Sequence, residues 1–117
     1  MCIFCKIVEG ELPSNKVDEN DDFLAFNDLY PKAPIHVLII PKTHIESFQD
    51  VNPTVMAGLT RFTQSIAQKL GLDKSGYRLI TNNGDDGGQE VKHLHFHLLG
   101  GGKLNWTHQH DESHKNM

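Results

Sequence analysis

Residues 93–99 read His-Leu-His-Phe-His-Leu-Leu, and this alternation of histidine with large apolar side chains constrains the fold most strongly. A two-residue period is typical of a β-strand, in which side chains at i, i+2 and i+4 lie on one face. We therefore predict a strand with three imidazoles on one face, roughly 6–7 Å apart. Leu94, Phe96 and Leu98 would face the core on the other side. A solvated edge strand and a metal site built from all three histidines are the alternatives.

Length and charge bound the class of protein. The chain has 117 residues and a formal net charge of −4. This length predicts one domain with a modest core, and the negative charge argues against a nucleic-acid-binding surface. No apolar run is long enough for a membrane span and no secretory signal is visible, so we expect a cytoplasmic protein with no membrane partner.

Cys2 and Cys5 are the two cysteines of the sequence. Two residues between cysteines in a chain expected to be cytoplasmic indicate metal or redox chemistry rather than a structural disulfide. The spacing alone leaves both kinds of chemistry open.

Three further segments have the apolar pattern of strands. Residues 23–28 and 77–82 are each predicted to form one strand. Residues 35–40 are β-branched and apolar on both faces, which favours a central strand that is buried on both sides. Residues 18–22 are polar and are predicted to form a turn.

One long helix is predicted over residues 52–70. Asn52 suits the N-cap, Pro53 suits the first helical position, and Gly71 suits the C-terminal stop. A shorter helical segment is expected at residues 2–7. The apolar residues of the long helix recur at helical spacing and form one stripe, which we expect to cover the sheet: Val55, Leu59, Phe62, Ile66 and Leu70.

A glycine-rich loop, residues 83–90, leads into the histidines. Glycines permit positive φ and close backbone approach, so this loop can present N–H groups to an anion; a plain flexible loop is the alternative. Loop and histidines are expected at the same end of neighbouring strands. Residues 107–117 form a polar, histidine-rich tail that we expect to be disordered.

The stretch at residues 93–99 resembles, at every position, the motif that defines the histidine triad (HIT) family. Four other segments, residues 24–28, 31–36, 40–42 and 87–89, stand in the order and spacing of that family. The resemblance extends from residue 2 to about residue 106, and we expect 1–106 to be a single HIT domain. The short chain and Trp106 resemble the Hint branch of purine nucleoside phosphoramidases.

This resemblance implies an α+β fold with a five-stranded antiparallel sheet, one long helix and one short helix. It also implies a homodimer joined through the long helices and neighbouring strands. The implied activity is hydrolysis of the P–N bond in adenosine or guanosine 5′-monophosphoramidates, with no organic cofactor.

The resemblance assigns different tasks to the histidines. His95 matches the family nucleophile, which forms a nucleotidyl-histidine intermediate that water then hydrolyses. The backbone carbonyl of His93 would hold the proton on the other ring nitrogen of His95. His97 and His36 match residues that line the phosphate pocket, where preorganised donors stabilise developing charge.

Other positions match the nucleotide-binding residues of the family. Asp28 matches the carboxylate that binds the ribose hydroxyls, and Asn82, Gly88 and Gln89 match contacts to the phosphate and the leaving group. Trp106 matches a residue that reaches the neighbouring protomer's site. The purine pocket is matched by a mostly apolar set, which reads equally well as simple core: Ile3, Phe4, Ile7, Phe26, Asn27 and Leu29.

Two positions depart from the Hint pattern. Glu90 stands where some members carry a serine beside the leaving group, and Lys92 replaces an aromatic residue before the triad. Glu90 would either donate a proton to the leaving group, favour cationic leaving amines such as lysine, or point to solvent. Lys92 adds positive charge near the site.

Cys2, Cys5, His44 and His93 resemble the four ligands of a structural zinc ion found in some members of the family. Zinc favours tetrahedral sets of cysteine and histidine. The alternative is that both cysteines are ordinary thiols at apolar sites and that His44 is a surface residue.

Other functions remain open from the sequence. They are a dinucleoside polyphosphate hydrolase of the Fhit type, a regulatory protein that only binds nucleotides, and a zinc-only structural module. A nucleotidyltransferase is disfavoured, because transferase relatives replace the third triad histidine by glutamine and this chain keeps His97.

Overall fold

The computed structural model describes residues 2–106 as a five-stranded antiparallel sheet with helices on both faces. The strands lie in the order β1-β2-β3-β5-β4. Their bounds are β1 Lys16–Glu19, β2 Phe23–Asn27, β3 Ile35–Pro41, β4 Tyr77–Ile80 and β5 Phe96–Gly100. The helices are α1 Ile3–Val8, α2 Pro53–Lys69 and α3 Leu72–Ser75, and a 3₁₀ turn covers Phe48–Asp50. The predicted α+β class and five-stranded antiparallel sheet are confirmed.

Strand β3 is the centre of the sheet, as its apolar sequence predicts. It pairs with β2 on one side and with β5 on the other, and the six residues from His36 to Pro41 are buried. Leu38 pairs with His97, and Ile80 of β4 pairs with the same histidine from the other side. The end of β4 and the start of β5 therefore lie together, which places the glycine-rich loop beside the histidines as expected.

Helix α2 covers one face of the sheet. Asn52 caps it by accepting a hydrogen bond from the Val55 N–H at 2.8 Å, and proline occupies its first turn. Gly71 follows it with φ +77°, a backbone conformation that favours glycine. Residues of the predicted stripe pack into the main core with the apolar residues of the histidine stretch: Leu59, Phe62, Ile66, Leu94, Phe96 and Leu98.

The short helix α1 covers the opposite face. Phe4 is its buried residue, and it packs in a second core cluster with Leu24, Phe26, Leu38 and Ile40. Leu38 and Ile40 are two positions apart on β3, so their side chains point to the same face of the sheet and both join this cluster. The face that α1 covers also carries His36, His95 and His97, and its position therefore shapes the site.

The extended strand predicted over residues 93–99 is wrong in its first half, because β5 begins at Phe96. Pairing with β3 ends at Ile39, and the Leu94 N–H instead donates to the Ile45 carbonyl at 2.6 Å. The predicted turn at residues 18–22 is also partly wrong, since Asp18 and Glu19 belong to edge strand β1.

Within residues 2–106, no helix is both long and apolar enough to cross a membrane. The predicted tail, residues 107–117, lies outside the described residues.

Candidate active site

A pocket of about 250 Å³ opens beside the histidines, on the face of the sheet that α1 covers. Its lining combines apolar residues, two carboxylates, one lysine and two imidazoles. These residues are Phe4, Asp28, Lys32, Leu38, Asn82, Gly88, Glu90, Val91, His95 and His97. Seven of the ten were predicted from the sequence as site residues, and the structure brings them together.

His95 is held in one orientation by the main chain. Its Nδ1 lies 2.7 Å from the carbonyl oxygen of His93, and the contact is buried. Because a carbonyl can only accept, Nδ1 carries the proton and Nε2 of the neutral ring keeps its lone pair. The Phe4 ring lies edge-on to His95 with ring centroids 5.1 Å apart. His95 is thus a buried, preoriented imidazole in a pocket wall.

His36, which is buried, and His97, which is half-buried, form a pair next to His95. Nε2 of His36 lies 2.9 Å from Nδ1 of His97, and the His95 and His97 ring centroids are 5.2 Å apart. Burial, followed by the neighbouring His95 and His36, lowers the pKa of His97 to about 4, and burial lowers the pKa of His36. Both rings are therefore neutral at pH 7, although an Asp28 oxygen lies 3.5 Å from Nε2 of His36.

The glycine-rich loop is built around Gln89. Its side-chain N–H groups donate to the carbonyls of Glu46 at 2.6 Å and Val91 at 3.1 Å, and its carbonyl oxygen accepts from the Gly84 N–H at 2.9 Å. The amide of Gln89 is therefore used in holding the loop, and it does not line the pocket. Its neighbours Gly88 and Glu90 do line it.

The predicted purine-pocket residues divide into three groups. Phe4 lines the pocket, while Phe26 and Ile7 belong to the core cluster behind it. Asn27 is exposed, and Ile3 and Leu29 are exposed apolar residues, Leu29 to 76%. Ile3 and Leu29 adjoin the lining residues Phe4 and Asp28 along the chain but are not part of the lining.

Trp106 lies away from the pocket of its own chain. It is 77% exposed, and its ring stands 5.6 Å from the guanidinium carbon of Arg78. Arg78 also donates to the Asn105 carbonyl at 3.0 Å. These contacts hold the end of the described chain against strand β4.

Three residues of the pocket lining were missed from the sequence: Lys32, Leu38 and Val91. Leu38 had a usable signal, because it lies two positions after His36 on the same strand and therefore on the same face. Lys32 lies in the connector between two prolines, where no period applies, and Val91 lies in a bend.

A candidate metal centre, made of Cys2, Cys5, His44 and His93, lies at the N-terminus of α1. The Sγ atoms of Cys2 and Cys5 and Nδ1 of His44 and His93 lie 3.1–3.5 Å apart in five of their six pairs. Zn–S bonds near 2.3 Å and Zn–N bonds near 2.0–2.1 Å place tetrahedral ligands roughly 3.3–3.8 Å apart. The four residues fit a tetrahedral metal site that is contracted by a few tenths of an ångström, and they can hold a metal ion.

His93 connects the candidate metal centre with the histidines of the pocket. Its Nε2 lies 2.8 Å from the carbonyl of Pro41, so Nε2 carries the proton and Nδ1 presents a lone pair to the two thiols. A metal-binding histidine commonly donates its other N–H to a carbonyl in this way. The side chain of His93 thus belongs to the candidate metal centre, and its carbonyl orients His95.

Comparison with known proteins places this geometry in a family. The family model described as HIT domain matches residues 9–104. The chain belongs to the HIT domain family. It is 48% identical over 103 residues to a HIT-like protein of Helicobacter pylori (strain 26695), covering 88% of this chain and 99% of that protein. The predicted membership is confirmed.

Solved HIT structures have the same fold. The structure of a HIT family hydrolase from Legionella pneumophila matches with a TM-score of 0.87 at 47% identity, covering 91% of this chain and 97% of that one. A histidine triad protein from Clostridium difficile matches with a TM-score of 0.85 at 50% identity, covering 92% and 96%. The likeness therefore extends over nearly the whole HIT chain, in sequence as well as in structure.

Proposed function

We propose that this protein hydrolyses the P–N bond of purine nucleoside 5′-monophosphoramidates through a nucleotidyl intermediate on His95. The observation that carries the proposal is the 2.7 Å contact between Nδ1 of His95 and the His93 carbonyl. In the neutral form of the ring, this contact leaves the lone pair on Nε2 in the pocket wall, which is the form a nucleophilic imidazole needs. Membership of the HIT family supports a hydrolase that binds nucleotides.

The reaction proceeds in two displacements. Nε2 of His95 attacks the α-phosphorus, the P–N bond breaks, and the departing amine takes up a proton. Water then attacks the phosphorus of the nucleotidyl-His95, which releases the nucleoside monophosphate and restores the neutral ring. His97 stands beside His95 and stabilises the charge that develops on the non-bridging oxygens.

Recognition of the nucleoside rests on the outer part of the pocket. Asp28 binds the ribose hydroxyls with its carboxylate, which already accepts from the Tyr30 N–H at 2.8 Å and is held rigid by it. The purine lies against Phe4 and the exposed apolar residues Ile3 and Leu29. Asn82, Gly88 and Glu90 line the side of the loop, where the leaving amine departs.

We further propose that the candidate metal centre binds a structural zinc ion. Cys2, Cys5, His44 and His93 would hold it, and it would supply a cross-link between α1 and the sheet. The lone pair that His93 directs at the two thiols supports this assignment. Burial and the Cys2 thiol raise the pKa of Cys5, so metal binding releases a proton at neutral pH.

Residues 1–106 would form one HIT domain that pairs with a second copy as a homodimer. Strand β4 supports this proposal, because it is an edge strand whose Tyr77 and Leu79 are 41% and 42% exposed. Exposed apolar residues on an unpaired edge are typical of a strand that pairs with a partner. Trp106, next to β4, would then reach toward the partner's pocket.

The test is an intact-mass measurement with an adenosine phosphoramidate. The wild-type protein should release AMP, and His97→Ala should turn over slowly and accumulate an adenylate adduct. His95→Ala, alone or combined with His97→Ala, should show neither activity nor adduct. A dinucleoside polyphosphate assayed in parallel tests the Fhit-type alternative. Full activity in His95→Ala, or nucleotide binding without hydrolysis by any variant, would contradict the proposal.

A further inference from the structure

The pair formed by buried His36 and half-buried His97 has a main-chain partner that the reaction does not require. The backbone N–H of Lys32 lies 3.1 Å from Nδ1 of His36. Lys32 stands four residues before His36, in the connector between Pro31 and Pro34, and the connector bends back over the ring. A backbone N–H can only donate, so the nitrogen that faces it must carry a lone pair.

This single contact decides the positions of the remaining protons. The ring of His36 is neutral because burial lowers its pKa, so its proton lies on Nε2. Nε2 of His36 then donates to Nδ1 of His97 across 2.9 Å. The ring of His97 is neutral as well, with a pKa of about 4, and its proton must lie on Nε2.

We propose that the backbone N–H of Lys32 is a positioning group that fixes His36 and His97 in one tautomer each, so that His97 presents an Nε2–H donor to the phosphate. The chemical role of this donor rests on the function proposed above. The proton positions themselves do not depend on it. The side chain of Lys32 is a separate matter, since Lys32 lines the pocket and its ammonium group donates to the Tyr30 carbonyl at 3.4 Å.

The same contact argues against a metal ion between Asp28, His36 and His97. Their ligand atoms lie within 4.8 Å of one another, which is close enough for a cation. A cation there would need the lone pair of His36 on Nε2 and hence its proton on Nδ1. That proton would collide with the Lys32 N–H at 3.1 Å. The Lys32 N–H, His36 and His97 therefore form a hydrogen-bonded relay.

The relay complements the orientation of His95. The His93 carbonyl forces the proton of His95 onto Nδ1 and leaves Nε2 as an attacking lone pair. The Lys32 N–H, acting through His36, forces the opposite arrangement on His97. Two neighbouring imidazoles of equal chemistry thus become a nucleophile and a donor through main-chain groups.

Nitrogen-15 NMR of the full chain labelled at histidine and backbone nitrogens tests the proposal directly. At pH 7 the wild-type spectrum should show His36 and His97 protonated on Nε2. Couplings across the hydrogen bonds should join the Lys32 nitrogen to Nδ1 of His36 and Nε2 of His36 to Nδ1 of His97. A proton on Nδ1 of either ring would overturn the proposal, and this measurement needs no variant that must fold.

A pair of variants tests the cause. Lys32→Pro removes the N–H and the ammonium group, while Lys32→Ala removes the ammonium group alone. Lys32→Pro should give mixed tautomers of His36 and His97 and a kcat about three- to tenfold below that of Lys32→Ala, the range of one net hydrogen bond. Lys32→Ala should keep the wild-type tautomers. Equal tautomers in the two variants would overturn the proposal, whereas wild-type tautomers in a protein that hydrolyses no phosphoramidate would overturn only the proposed function.

Discussion

The ring of Phe4 stands edge-on to His95 at 5.1 Å and to His93 at 5.9 Å. Phe4 lies on α1, between the two cysteines of the candidate metal centre, and Cys2 caps that helix by accepting from the Cys5 N–H at 3.2 Å. The position of a pocket wall and the position of the metal ligands are therefore set by the same six-residue helix. A helix this short is marginal without tertiary support.

Metal removal should consequently loosen α1 and reduce activity. With zinc removed by a chelator, or in Cys5→Ser, amide hydrogen exchange should rise in residues 3–8 and the melting temperature should fall. Phosphoramidase activity should fall because Phe4 no longer supports the His95 ring. The measurements are metal content, exchange by mass spectrometry and thermal unfolding.

The control for metal removal is Lys6→Ser, a change at an exposed position of the same helix. It should keep about one zinc per chain and exchange as the wild type does. Metal-free purified protein with both thiols freely reactive, and with unchanged exchange after chelation, would contradict the zinc assignment.

Acidification should destabilise the fold through His97. Its pKa is about 6.5 in an unfolded chain and about 4 in the folded protein, so the unfolded state binds more protons between these values. The free energy of unfolding should be fully retained above pH 6.5 and should fall as the pH drops toward 4. At pH 5 the loss from this residue should be about 1–2 kcal/mol.

Urea unfolding of wild type and His97→Gln at pH 7 and pH 5 measures this contribution. The variant should lose less stability than the wild type between the two pH values. The lowered pKa values of His36 and His93 reduce stability at low pH in both proteins. Their contribution therefore cancels when the wild type is compared with His97→Gln. An equal loss in both proteins would show that His97 does not carry the effect.

Gly87→Ala should distort the loop that lines the pocket. A Cβ at this position would overlap the backbone oxygen of Asn83, and neither backbone can yield without moving the loop. The expected cost is about 1–3 kcal/mol of stability, with reduced activity because Gly88 and Glu90 are displaced. Thermal unfolding and the phosphoramidate assay measure the two effects.

Gly102→Ala is the matched change, since its Cβ would meet the Pro34 side chain at an ordinary 3.4 Å. It should be close to wild type in both assays. If the two alanine variants behave alike, steric exclusion at Gly87 is not what shapes the loop.

The elements that the sequence predicted well are those whose side chains report their surroundings. Strand β3 is apolar on both faces because it is central, and α2 has one stripe because it covers one face. Strand β1 was missed because Lys16–Glu19 is polar and lies at the sheet edge, so its formation depends on pairing with β2 and leaves no pattern of its own.

The site was predictable in its residues and less so in their contacts. Alternation predicted a common strand for the three histidines, yet the chain leaves β3 before Phe96, because Leu94 bonds to Ile45. The Thr81 hydroxyl donates a hydrogen bond to the His95 carbonyl at 2.8 Å. Neither contact has a signature in local sequence. The hydrogen bonds that the Gln89 side-chain amide makes in holding its own loop also have no signature in the local sequence.

The orientation of His93 and His95 is imposed by two carbonyl oxygens, those of Pro41 and His93. Every amino acid carries a carbonyl, so side chains at such positions can be exchanged during evolution while the orienting group persists. A comparison of side chains across relatives would therefore not reveal the main-chain carbonyls that orient these imidazoles. Redesign of this pocket must preserve the path of the main chain before it preserves any particular residue.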